Sequence, residues 1–89
     1  IGSATPNGWS SDQAMTYNAA QKCWELNNVT LTTGELKFRA NSDWVLDWGG
    51  SLDNITFKGG NINVTAGKYN IKLYLSCDSK SHCTMELVP

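Results

Sequence analysis

The stretch that decides the fold reads Thr65-Ala66-Gly67-Lys68-Tyr69-Asn70-Ile71-Lys72-Leu73-Tyr74-Leu75-Ser76. From Tyr69 onward the residues alternate: Tyr69, Ile71, Leu73 and Leu75 fall on one face, and Asn70, Lys72, Tyr74 and Ser76 on the other. A period of two marks an extended chain with one side against a core and the other toward water. Gly67 supplies a turn ahead of this strand, and before the turn Ile62 and Val64 alternate in Asn61-Ile62-Asn63-Val64. The spacing therefore predicts a hairpin of 61–64 against 69–75. Further on, Cys83, Met85 and Leu87 share a face and predict a terminal strand over 83–88.

Upstream the same rhythm continues. Trp24 and Leu26 alternate, Asn27-Asn28 breaks the phase, and Val29 and Leu31 resume it one residue late, which predicts a β-bulge. Trp24, in register with Leu26, is assigned to the core. Thr32-Thr33-Gly34-Glu35 then turns the chain into Leu36, Phe38 and Ala40, expected inside, alternating with Lys37, Arg39 and Asn41, expected in solvent. Shorter pieces at Met15–Tyr17, Val45–Trp48 and Ile55–Phe57 complete the set. No segment sustains a helical period over about ten residues. Roughly seven or eight short strands predict an all-β, two-sheet antiparallel β-sandwich of the immunoglobulin-like or carbohydrate-binding-module type.

A chain of 89 residues holds one domain, 1–89, with no room for a second. It opens on Ile1-Gly2-Ser3 with no initiator Met and reads as a module excised from a longer protein, with Ile1 in the middle of a first strand. Seven Lys+Arg against eight Asp+Glu give a formal charge of -1, so the basic footprint of a nucleic-acid partner is missing. No apolar run approaches the ~20 residues that span a bilayer.

Catalytic groups are scarce. The single histidine, His82, sits in a polar loop, which argues against a nucleophile-and-base constellation. Asp43 and Asp47 flank Trp44 in Asp43-Trp44-Val45-Leu46-Asp47; two acids near tryptophans suit a glycosidase, but acids in such a loop are ordinarily solvated turn formers. The expectation is a protein without catalysis and without cofactors. Cys77 and Cys83 bracket Asp78-Ser79-Lys80-Ser81-His82. Three states remain open: a hairpin disulfide between them, free thiols, or a zinc site of Cys23, Cys77, His82 and Cys83.

Four tryptophans in so short a chain need an account. Trp9 follows Pro6-Asn7-Gly8 in a loop setting; Trp44 and Trp48 stand four apart ahead of Gly49-Gly50, on one side of an extended segment. Beside them run Lys37, Arg39 and Asn41. Aromatic plates next to a cluster of long donors fit a sugar polymer: a pyranose ring offers an apolar C–H face to a plate, and its hydroxyls exchange hydrogen bonds with donors at the edge. The expected ligand-binding residues are Trp9, Lys37, Arg39, Asn41, Trp44 and Trp48. The competing account makes the same residues an end cap and ordinary strand polars.

In order along the chain, Ile1-Gly2-Ser3-Ala4-Thr5-Pro6-Asn7-Gly8-Trp9, Gly34-Glu35-Leu36-Lys37-Phe38-Arg39-Ala40-Asn41, Asp43-Trp44 through Trp48-Gly49-Gly50, and Gly59-Gly60-Asn61-Ile62 with Ala66-Gly67-Lys68-Tyr69 resemble the SusE/SusF-like starch-binding domains. Those domains belong to surface lipoproteins of Bacteroides-type starch utilisation systems. The resemblance spans nearly the whole chain. It implies a non-catalytic β-sandwich that binds an α-glucan on an aromatic platform of Trp9 with Trp44 or Trp48. Arg39 and Lys37 would then bond to the sugar edge. It further implies a place on the outer face of the outer membrane, reached through an N-terminal lipid anchor, with the other subunits of a glycan-uptake system as partners. The alternative implied by the same parentage is a spacer or protein-docking domain that binds no ligand.

Overall fold

The computed structural model describes residues 1–75 and 81–88. Among them the regular structure is entirely β: β1 (Thr16–Asn18), β2 (Cys23–Leu31), β3 (Gly34–Leu36), β4 (Phe38–Arg39), β5 (Asp47–Ser51), β6 (Asn54–Phe57), β7 (Ile62–Val64), β8 (Gly67–Tyr74) and β9 (His82–Leu87). All pairings are antiparallel, in a four-stranded sheet β1-β2-β8-β9, a two-stranded sheet β3-β7 and a three-stranded sheet β4-β5-β6. The all-β class expected from the alternation is the observed one, with nine short strands.

The deciding stretch forms β8 as its periodicity requires: Tyr69, Ile71 and Leu73 are buried, and Asn70, Lys72 and Tyr74 are half-buried on the other face. The predicted bulge is present as well. The β2–β8 register shifts between Leu26 and Val29, and Asn28 adopts a left-handed φ of 57° while its N–H donates to Asn70 Oδ1 at 2.9 Å. Asparagine tolerates that conformation better than a branched apolar residue would, so the phase slip falls on it.

The predicted hairpin of 61–64 with 69–75 does not form. β7 pairs with β3, and β8 pairs with β2. The chain instead crosses between sheets twice at one corner, where Leu31 faces Gly67 on one side and Gly34 faces Val64 on the other. The N–H of Ala66 donates to Thr33 Oγ1 across the two crossings. A long two-stranded ribbon thus bends over itself. The bend buries Leu36, Ile62 and Val64 in one cluster with Val29, Leu31, Tyr69 and Ile71.

Residues 36–40 do not make one strand. Leu36 ends β3 and Phe38 begins β4 in another sheet. Lys37 between them donates its N–H to the carbonyl of Ile1 and accepts from the Ile1 ammonium, so Ile1 lies outside any strand yet is buried and supplies the missing pairing. Leu36 and Phe38 are buried as expected, and Ala40 is half-buried. Lys37 and Arg39 correct the expectation of solvent-facing strand polars, since their side chains are only 13% and 11% exposed. Gly49 within β5 has no room for a side chain: a Cβ there would collide with the Gly60 and Gly59 carbonyls, whose segment approaches closely enough for Gly50 N–H to bond Gly60 O at 2.8 Å.

Trp24 is a second correction. It faces the core side, opposite Leu73, but stands outside the buried cluster and is 40% exposed. Alternation fixes which face a side chain takes; it does not fix whether the opposing layer reaches far enough to cover it. Cys23 and Cys83 are both buried free thiols, and burial pushes the Cys83 thiol up to about 12. Cys83 shares the face of Leu73 and Trp24, whereas Cys23, next to Trp24, takes the other, so the two cannot meet at one metal. Cys77, with which Cys83 would close the hairpin disulfide, lies outside the described residues.

Candidate functional site

The loop that carries Trp9 is wound by consecutive turns. Thr5 N–H donates to Gly2 O, Gly8 N–H to Thr5 O and Ser10 N–H to Asn7 O, at 3.0, 3.0 and 3.2 Å. Gly8 takes a left-handed φ of 58°, which glycine adopts without a Cβ penalty. A loop closed this tightly presents Trp9 outward, 42% exposed.

The Trp44 loop is closed at its base by Ala40 N–H donating to Leu46 O at 2.9 Å. Asn41 and Ser42 turn it through left-handed φ values of 55° and 53°. The Asp43 carboxylate accepts from Val45 N–H. Trp44 is 41% exposed, and its ring centroid lies 5.9 Å from that of Trp9 with the planes tilted by 42°. Two loops distant in sequence thus build one aromatic surface.

Arg39 joins these loops. Its Nε and Nη2 donate to Asp12 Oδ1 and Oδ2 at 2.7 and 3.0 Å, a fork-on-fork pair that fixes both partners. Its guanidinium also lies 4.7 Å from the Trp44 ring centroid, within cation–π range. The Arg39 hydrogen bonds hold the Asp12 carboxyl below the usual carboxylate range.

Beneath the Trp44 loop sits Asp47, 3% exposed and anionic. Lys37 Nζ donates to its Oδ1 at 2.5 Å and Lys58 Nζ to its Oδ2 at 2.7 Å. These bonds, Lys37 first, hold its carboxyl well below the ordinary range. Lys58 Nζ also donates to the Trp44 carbonyl, and Lys37 Nζ stands 5.6 Å from the Trp44 ring. A buried carboxylate is tolerable only with such partners, so the two lysines and Asp47 form a unit that anchors the loop.

Of the six residues expected from the sequence, the structure gathers Trp9, Trp44, Arg39 and Lys37, with Asn41 in the turn beside them. Trp48 is not part of this surface. It packs half-buried against the core cluster and makes an edge-on contact with Phe57 at 5.8 Å. Sequence reasoning missed Asp12, and it treated Asp47 as a solvated turn former when it is a buried anchor. Asp47 does not stand out locally: its partner in the β4–β5 register is Arg39, but its ion pairs are with Lys37 and Lys58, which only the fold brings to it. For Asp12 no local signal exists, since only the tertiary fold brings it to Arg39.

No family model, no curated protein and no solved structure matches this chain.

Proposed function

We propose that this protein is a non-catalytic carbohydrate-binding module of the β-sandwich type, and that it holds an α-glucan on the Trp9–Trp44 surface. The observation that carries the reading is the ring pair itself. Two indoles 5.9 Å apart, each about two-fifths exposed, are held from behind by an ion-paired arginine and an anchored loop. Large apolar rings kept in water by a rigid frame favour a partner with flat apolar faces and hydroxyl edges.

Arg39 acts first as the strut between the two loops. Asp12 engages its Nε and Nη2, and the guanidinium backs the Trp44 ring at 4.7 Å. The spacer reading expects Trp44 and Trp48 buried and Lys37 and Arg39 facing solvent without a neighbouring plate; Trp48 does pack half-buried on the core, but Trp44 is exposed with both cations at its ring, which favours binding. The choice of an α-glucan, the surface-lipoprotein setting and the glycan-uptake partners rest on the resemblance of the Lys37-to-Asn41 and Asp43-Trp44 blocks to SusE/SusF-like domains.

Two stacking contacts of ~0.5–1.5 kcal/mol each, with a few hydrogen bonds of similar size, must offset the loss of ligand freedom. The dissociation constant is therefore on the order of 0.1–1 mM. Titration with maltoheptaose, and in parallel with cello- and xylo-oligosaccharides, followed by tryptophan fluorescence and heat, tests the proposal. Saturable binding to maltoheptaose that weakens in Trp9→Ala supports it. Absence of binding to every oligosaccharide by the folded domain would sink it.

A further inference from the structure

A cavity of about 490 Å³ opens between the four-stranded sheet and the layer that covers it. Its walls include Leu26, Ile71 and Leu73 from one side and Leu36 and Phe38 from the other, with Met15 at its flank. Trp24 lines it while remaining 40% exposed, and Tyr17 rests against Trp24 at 5.1 Å between ring centroids. Protein interiors are packed so densely that voids larger than a water molecule are few, so an apolar space of this size invites an occupant.

The chemistry of the walls selects the occupant's class. A molecule with many hydroxyls would leave them without partners against leucine, isoleucine and phenylalanine, at a steep desolvation cost. The charged side chains in the lining are paired, Arg39 with Asp12 and Lys37 with Asp47, while Gln13, Asn41 and Ser42 add uncharged polar groups. A charged ligand would have to break one of these pairs. The volume falls in the range that holds a drug-sized molecule and is too small for a folded segment of another protein. We infer that this cavity is a binding site for a small, uncharged molecule with an apolar body, which stacks a flat ring or chain on Trp24. It adjoins the Trp9–Trp44 surface and shares Lys37, Arg39 and Asn41 with it, but neither Trp9 nor Trp44 lines it, so it stands whether or not that surface binds glucan.

The test uses N-phenyl-1-naphthylamine, a neutral dye whose emission rises in apolar surroundings, with the intact folded domain. The expected result is saturable binding of one dye per chain, unaffected by excess maltoheptaose, with methyl resonances of Met15, Leu26, Ile71 and Leu73 shifting in step. Leu26→Trp, which fills the space, should weaken binding at least about tenfold, and Trp24→Ala about fivefold, in line with the loss of one aromatic contact. The methyl shifts of the unmodified protein decide the matter even if either variant fails to fold. No saturable binding, shifts confined to residues outside the cavity, or undiminished binding by a folded Leu26→Trp protein would each overturn the inference.

Discussion

Among the described residues, two exposed aromatic pairs of similar geometry stand in contrasting surroundings. Trp9–Trp44 and Tyr17–Trp24 have ring centroids 5.9 and 5.1 Å apart and interplanar angles of 42° and 58°. Around the first stand Arg39, Lys37, Lys58, Asp12 and Asp47, joined in ion pairs that hold two loops together. Behind the second lies the apolar cavity lined by Leu26, Ile71 and Leu73. The rings themselves are alike in what they offer. Their settings separate a surface suited to a hydroxyl-edged ligand from one suited to a hydrocarbon, because buried or half-buried polar groups reward only ligands that can satisfy them.

The largest effect expected is one that damages both regions. Phe38 is buried, walls the cavity and pairs with Trp48 in the strand that leads to Arg39. Phe38→Ala should cost about 3–5 kcal/mol in urea denaturation and weaken both binding activities together. Loss of one activity alone, in a protein that remains folded, would show that the regions are supported independently.

Asp47→Asn should act mainly on one side of the comparison. It removes the charge that both lysines hold, frees the Trp44 loop and should weaken maltoheptaose binding roughly tenfold, a change worth about 1.4 kcal/mol, while changing dye binding less than about twofold, since of this unit only Lys37 lines the cavity. Equal losses at both sites would mean that Asp47 supports the whole fold rather than the loop.

Acid gives a third test of the same unit. Asp12 and Asp47 both have depressed carboxyl pKa values, Asp12 chiefly through its Arg39 hydrogen bonds and Asp47 chiefly through Lys37. Their stabilisation is therefore fully present above the ordinary carboxylate value near 4 and is lost as pH falls below it, when the unfolded chain takes up protons first. The melting temperature should fall as pH drops from about 5 to below about 4, as read by circular dichroism. The fall should be shallower in Asp47→Asn; an unchanged acid slope would remove Asp47 from the account.

The smallest effects are the sharpest for the contrast. Trp9→Ala should weaken glucan binding severalfold with little change in melting temperature, and Tyr17→Ala should leave glucan binding untouched while loosening the dye about twofold. Crossed results, with Tyr17→Ala affecting the glucan, would merge the two surfaces into one.

Several features of this arrangement were legible along the chain. Alternation in 69–75 placed β8 and its buried face, and the slip at Asn27-Asn28 placed the bulge, because both depend on the period of an extended backbone and on one local register. Trp9, Trp44, Arg39 and Lys37 could be singled out by residue type, and the fold brings these four together. The hairpin at 61–75 was misread for a definite reason. A turn sequence states that the chain reverses; it does not state whether the strands on either side remain in one sheet, and here the ribbon bends so that they do not.

What the sequence alone determined was thus the extended character of the chain, the face each strand residue takes and the supply of aromatic and basic side chains. Tertiary structure alone decided that Trp24 is left uncovered, that Trp48 turns into the core, that Arg39 reaches Asp12, and that Asp47 is buried between Lys37 and Lys58. The reason is physical: periodicity is set by backbone geometry within one strand, whereas cover, pairing and charge neutralisation depend on residues separated by 10 to 27 positions in the sequence, which meet only when the sheets close over a common core.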